Sequence, residues 1–219
     1  MEYIHSGWAL IADGDRILFY DSGEEGDKND YYTYDGVLRQ ITEQEYFQKK
    51  YRNACEKIMT VYGKNMTGSM FDLYNNIYVN YYQDGLIRKF DHVGNLIREY
   101  EDNFDTIYDI EVQGNSIWVA YPTANTIKKY ALDNYEVEFT LGKRSDVSIL
   151  CLPESIVIYG DYLYICDMGN CRIRKVDLSN LEIYDFMTFD EPVWEYVRIK
   201  ENEFVRLQSG IYSVRSSIA

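Results

Sequence analysis

The chain has 219 residues, 46% of them hydrophobic, enough for one sizeable domain with a buried core. Its formal net charge of −14, from 22 basic and 36 acidic side chains, sets it against nucleic-acid phosphates and anionic membranes and favours basic partners. No stretch approaches the roughly 18–20 apolar residues of a membrane helix. The opening MEYIHSGWALIADGDR carries neither a basic start nor an apolar run, so a cytoplasmic monomer is expected.

In chain order, GWALIADGDRILFYD (Gly7–Asp21) reads as two strands turning at Asp13-Gly14-Asp15. DSGEEGDKND (Asp21–Asp30) follows as an acidic loop. Its acids lack the spacing of a calcium loop, and a solvated connection is expected there. YYTYDGVLRQI (Tyr31–Ile41) completes the first unit. ITEQEYFQKKYRNACEKIMTVYGKN then breaks the strand pattern. Thr42 and Glu45 have capping-box spacing, and Phe47, Tyr51, Ala54, Ile58 and Val61 recur at helical intervals. One inserted α-helix near residues 43–60 is predicted, within an insertion spanning 42–66, laid as a lid on the strands or reaching out to a partner.

Three segments then fall into register: NIYVNYYQDGLIRKFD (Asn76–Asp91), SIWVAYPTANTIKKYA (Ser116–Ala131) and YLYICDMGNCRIRKVD (Tyr162–Asp177). Each has an apolar-aromatic run, a polar turn, then isoleucine, two basic residues and an apolar residue. SMFDLY (Ser69–Tyr74), TIYDIEV (Thr106–Val112) and ESIVIYG (Glu154–Gly160) supply a strand before each hairpin. Strands such as LIREY, after Gly94-Asn95, supply one behind. Ile77, Ile117 and Leu163 recur at the roughly 40–50-residue period of a four-stranded propeller blade. WEYVRIKENEFVRLQSGIYSVRSS gives three strands at the end, and MEYI can supply their fourth, which removes free sheet edges. The expectation is an all-β, single-ring β-propeller of five four-stranded blades, one domain over 1–219.

Cys166 and Cys171 stand where the sister hairpins have no thiol, and no histidine is near. Neither a metal site nor a cofactor is expected. The stretch is read as a hairpin whose Gly169-Asn170 supplies the permissive turn backbone.

The segment LPESIVIYGDYLYICDMGNCRIRKVD (Leu152–Asp177) resembles the NHL class of β-propeller, through Pro153, Asp167, Gly169, Asn170, Arg172 and Ile173. The two preceding blades share only the hydrophobic pattern and the basic pair. The resemblance implies that the middle-hairpin and inter-blade connections emerge on one face. That face collects Glu24, Glu25, Asp27, Asp30, Tyr81, Tyr82, Asp84, Asp102, Asp105, Tyr121 and Asp167, an acidic, tyrosine-rich set of candidate partner contacts.

Only two histidines are present, and no nucleophile elbow, phosphate loop or metal spacing appears. The leading expectation is therefore a non-enzymatic propeller that grips a basic protein. One concrete version is an immunity protein neutralising a nuclease-type toxin. The alternatives are a lyase or hydrolase acting on a carbohydrate or small molecule in the central channel, with paired carboxylates, and a carbohydrate-binding propeller using Trp118 and Trp194 as platforms.

Overall fold

The computed structural model describes residues 1–7, 10–13, 15–22, 29–42, 44–45, 66–71, 76–81 and 84–214. They form five antiparallel four-stranded sheets arranged as one ring, a five-bladed β-propeller. Blade 1 is β2 (Ile11–Asp13), β3 (Arg16–Ser22), β4 (Asn29–Tyr34) and β5 (Leu38–Ile41). Blade 2 is β6 (Met66–Phe71), β7 (Ile77–Tyr81), β8 (Leu86–Phe90) and β9 (Leu96–Glu101). Blade 3 is β10 (Asp109–Gln113), β11 (Ser116–Tyr121), β12 (Thr126–Ala131) and β13 (Val137–Gly142). Blade 4 is β14 (Pro153–Tyr159), β15 (Tyr162–Asp167), β16 (Arg172–Asp177) and β17 (Ile183–Thr188). Blade 5 combines β18 (Val193–Ile199), β19 (Asn202–Leu207) and β20 (Gly210–Val214) with the N-terminal β1 (Glu2–His5).

The expected closure is present. β1 pairs antiparallel with β20, Glu2 opposite Ser213 and Tyr3 opposite Tyr212. His5 packs on the rings of Phe19 and Tyr32 in blade 1, a structural role. The edge of β20 is thereby covered, which removes a template for strand addition.

The first strand of each blade is innermost: β10 packs against β6 and β14, β14 against β18, and β18 against β2. Antiparallel order then puts three features at one end of the ring: the start of each inner strand, the turn between second and third strands, and the end of the fourth. The second strands are covered on both faces, so IYVNY and SIWVAY are almost wholly buried instead of alternating. Their side chains fill layers between neighbouring blades. Tyr78, Ile87, Ile117 and Tyr121 lie between blades 2 and 3; Trp118, Ile127, Leu163 and Ile165 between blades 3 and 4; Tyr164, Ile173, Tyr196 and Val205 between blades 4 and 5. Each such side chain contributes about 1.5–3 kcal/mol by burial, which explains the demand for large tyrosines in these runs.

The predicted helix over 43–60 falls outside the described residues, apart from Gln44 and Glu45. Its start has capping-box geometry: Glu45 Oε2 accepts from the Thr42 N–H at 2.8 Å, and the Glu45 N–H donates to Thr42 Oγ1 at 3.2 Å. Among the described residues no α-helix reaches seven residues, and none is long and apolar enough to cross a membrane. The short helical pieces are the 3₁₀ turns Pro122–Ala124 and Met168–Asn170. Both end in a left-handed residue, Asn125 at φ 51° and Cys171 at φ 52°. The permissive position of the CDMGNC turn is thus Cys171 and not Gly169-Asn170. Gly169 is required for a different reason: a Cβ there would lie 2.5 Å from Cys151 Sγ and 2.9 Å from the Cys151 carbonyl oxygen.

Candidate functional site

The turn after β15 is a clamp on the chain that enters blade 4. Asp167 is fully buried. It accepts from the Cys151 N–H at 2.6 Å, from Asn170 Nδ2 at 2.9 Å and from Arg172 Nε at 2.7 Å. Arg172 Nη2 continues to the Ser148 and Ile149 carbonyls, and Asn170 Nδ2 also donates to the Val147 carbonyl. Asp167, Asn170 and Arg172 therefore fix the 147–151 connection. Cys151, Cys166 and Cys171 are free thiols, and burial raises the Cys151 and Cys166 pKa values.

A second hub ties blade 2 to blade 3. Asp102, almost fully buried, accepts from the Tyr121 hydroxyl, from the Tyr135 hydroxyl at 2.9 Å and from the Phe104 N–H at 2.9 Å. Tyr130 stacks on Tyr135 at 4.3 Å, and its hydroxyl meets that of Tyr121 at 2.8 Å. Burial, then the neighbouring Tyr135 and Asp102, push the Tyr121 pKa far up. Tyr121 is thus a neutral donor.

These hubs separate the candidate contacts. Tyr81, Asp102, Tyr121 and Asp167 are inside the fold. Asp30 and Asp84 are exposed, with Asp30 accepting from Gln40 Nε2 at 2.9 Å. Asp105 is half-buried. Burial opposes its ionisation, but hydrogen bonds from Thr123 and the Thr106 N–H, together with Arg144, outweigh that and lower its pKa. Glu24, Glu25, Asp27 and Tyr82 lie outside the described residues.

The structure gathers a different set at the channel mouth. A cavity of about 230 Å³ is lined by Tyr108 and Asp109 at the start of β10, Glu154 and Ser155 at the start of β14, Trp194 and Glu195 at the start of β18, and Arg206 near the end of β19. Two β-bulges help build it. Pro153 faces Asp167 while Ser155 faces Cys166, and Val193 faces Leu207 while Glu195 faces Arg206. Glu154 and Trp194 are therefore the extra residues of their strands. A bulge re-aims a side chain that regular pleating would send elsewhere.

The carboxyls do not share one environment. Glu195 accepts from Arg206 Nε at 3.0 Å and from the Leu10 N–H of blade 1 at 2.6 Å. Burial still raises its pKa against both contacts. Asp109 accepts from the Ile156 N–H at 2.9 Å, across the gap to blade 4; burial pushes its pKa to about 6 against that bond. Glu111, two residues along β10, is pushed to about 8 by burial and then by the Asp109 charge. Burial takes Glu154 to about 7, with Arg206 pulling the other way. Among the described residues no hydrogen-bond donor reaches the Glu154 carboxyl, whereas Asp109, Glu111 and Glu195 each also tie a neighbouring blade's backbone.

Trp194 stands beside this group, with Nε1 donating to Gln208 at 3.2 Å and the Arg206 guanidinium 5.3 Å from its ring. Trp118, the other expected platform, is wholly buried. The acids were not singled out from the sequence. The available signal was an acid near the start of three upstream strands, in YDIEV, PESIV and VWEYV. Among the described residues no group of three or more His, Cys, Asp or Glu side chains is placed to hold a metal ion.

No protein-family model and no curated protein matches the sequence. Solved structures do share the fold. The WD40 β-propeller domain of Doa1 matches at 9% identity with a TM-score of 0.59, over 95% of this chain and 62% of that one. A catalytically inactive virginiamycin B lyase from Staphylococcus aureus, with quinupristin, matches at 13% identity and 0.53, over 98% of this chain and 71% of that one. The computationally designed Ika4 protein matches at 13% identity and 0.52, over 68% and 90%. At these identities the likeness establishes the propeller fold and nothing about activity. A propeller can bind ligands or partners through its loop faces.

Proposed function

We propose that the channel mouth binds and transforms a small polar molecule of the carbohydrate class, as a lyase or hydrolase. Glu154 gives the proton and Asp109 takes one. The carrying observation is the Glu154 carboxyl, aimed by a bulge into the cavity and held near pKa 7 by burial, beside an Asp109 near 6. Two carboxyls that burial raises towards neutrality suit proton transfer to and from a bound molecule. Arg206 neutralises Glu195, and Trp194 lines the cavity with an apolar ring that can pack against an apolar sugar face. The volume is below the roughly 300–1,000 Å³ of drug-sized pockets and suits one small ring. The lyase seen with quinupristin shares the propeller fold, which is compatible with this reading.

The gripping of a basic partner, such as a nuclease-type toxin, has less support, because four of the candidate contacts are buried. Asp30 and Asp84 remain open to such a partner. The test is a screen of monosaccharides by saturation-transfer NMR, followed by turnover of a glycoside and uronide panel. Glu154→Gln should abolish turnover while leaving binding within a few-fold. Full turnover in both Glu154→Gln and Asp109→Asn refutes the assignment.

A further inference from the structure

Near the channel, neighbouring blades are tied by a side chain of one inner strand that accepts a backbone N–H from the next. Tyr159 of β14 takes the Arg198 N–H of β18 at 2.8 Å. Glu195 of β18 takes the Leu10 N–H ahead of β2 at 2.6 Å. Between blades 3 and 4 two carboxyls of β10 do the work: Asp109 takes the Ile156 N–H at 2.9 Å, and Glu111, two residues on, takes the Ile158 N–H. These ties differ in charge. Tyr159 is a neutral phenol, its pKa raised by burial. Glu195 has Arg206 Nε at 3.0 Å. Glu111 has no such counter-ion: burial, the Asp109 charge and the Ile158 N–H are what act on it. Opposite it on β11 stands the neutral indole of Trp118, and from β14 the Tyr159 hydroxyl, already taken by Arg198. Asp109 meets the Ser155 hydroxyl, the Ile156 and Ile110 N–H groups and the Glu195 charge. Across the cavity it faces Tyr108, Glu154, Trp194 and Arg206, and Arg206 is held by Glu195. Ionising both β10 carboxyls therefore sets two like charges along one seam, and a proton on either removes the repulsion.

We infer that the seam between blades 3 and 4 is a pH-sensitive joint of the ring, closed while Asp109 and Glu111 hold at least one proton between them and loosened when both are ionised. What the cavity binds does not enter. At neutral pH Asp109, near 6, carries the charge and Glu111, near 8, carries the proton. An open seam exposes Glu111 to water and returns it towards its ordinary value of 4.5. The closed seam thus holds the Glu111 proton more tightly than the open one. Its contribution is present at low pH and is lost as pH rises through about 8.

Hydrogen exchange of single amides, followed by NMR on the intact chain, reads the seams separately: Ile156 and Ile158 report blades 3 and 4, and Arg198 reports blades 4 and 5. After correction for the intrinsic rate, protection at Ile156 and Ile158 should fall between about pH 6 and 8, approaching roughly tenfold per unit at Ile158. Arg198, held by a neutral phenol, should keep its protection over the same range. Glu111→Gln should leave Ile158 protection flat. Asp109→Asn removes the charge that helps to raise Glu111, so Glu111 loses its proton at lower pH and the fall should shrink. Thermal unfolding at about pH 6 confirms that each variant folds, and the comparison of amides within the unaltered protein needs no variant. Constant protection at Ile156 and Ile158 overturns the joint. So does an equal loss at Arg198, which reports opening of the whole ring, and so does a fall that persists undiminished in both variants.

Discussion

Replacing Asp167 by alanine tests whether the turn after β15 is a structural clamp. The side chain is fully buried and accepts three hydrogen bonds, at 2.6, 2.9 and 2.7 Å. Removing one partner of a buried ion pair costs about 3–5 kcal/mol, because the other charge stays behind without its partner. Arg172 keeps the Ser148 and Ile149 carbonyls and Asp185 at 3.3 Å, so the lower end applies, about 3 kcal/mol. For a domain of this size about 2–4 °C of Tm accompanies each kcal/mol, a fall of roughly 6–12 °C. The assay is urea unfolding followed by tryptophan fluorescence, with the slope checked for constancy so that the midpoint shift reports stability. A loss below about 1 kcal/mol refutes the clamp.

Glu111 has a folded pKa raised from 4.5 to about 8, so the native state holds its proton more tightly than the unfolded state does, and stability falls as pH rises through that window. Glu111→Gln should therefore raise Tm at pH 8 and leave it nearly unchanged at pH 4, read by scanning calorimetry; an equal shift at both values refutes the burial argument. Gly169→Ala should cost about 1–3 kcal/mol through the contact with Cys151. Adding Cys151→Ala should recover part of it in a double-mutant cycle, and strict additivity would show that the sulfur is not the obstacle. Deleting residues 1–5 uncovers β20 and should produce association visible by light scattering, whereas an unchanged monomer or oligomer distribution would show that closure is dispensable.

The ring was legible because its signal is periodic. IYVN, IWVA and LYIC each had to be apolar on both faces, and the terminal strands lacked a partner that only MEYI could supply. Turn residues were less legible. Gly169 looked like a conformational choice, yet its φ is not the unusual one; Cys151 from a distant connection occupies the space where a side chain would go. That neighbour is a tertiary fact, which local turn preferences do not encode.

The site was illegible for a related reason. Asp109, Glu154 and Glu195 are far apart in sequence, and each sits in a strand among alternating residues, where an acid reads as a solvated outward position. Only ring closure turns the starts of β10, β14 and β18 towards one axis, and only the two bulges choose Glu154 and Trp194 over their neighbours. Tyr121, Asp102 and Asp167 erred in the opposite direction. They occupy loop ends, where contact residues usually sit, but their polar atoms satisfy the connections between blades. Both errors have one physical origin. In a small ring the turns between blades must be pinned from within, so polar residues at strand ends are consumed by the scaffold. The inner strands, lacking a ladder partner across the channel, leave the Glu154 carboxyl facing the cavity with no donor among the described residues.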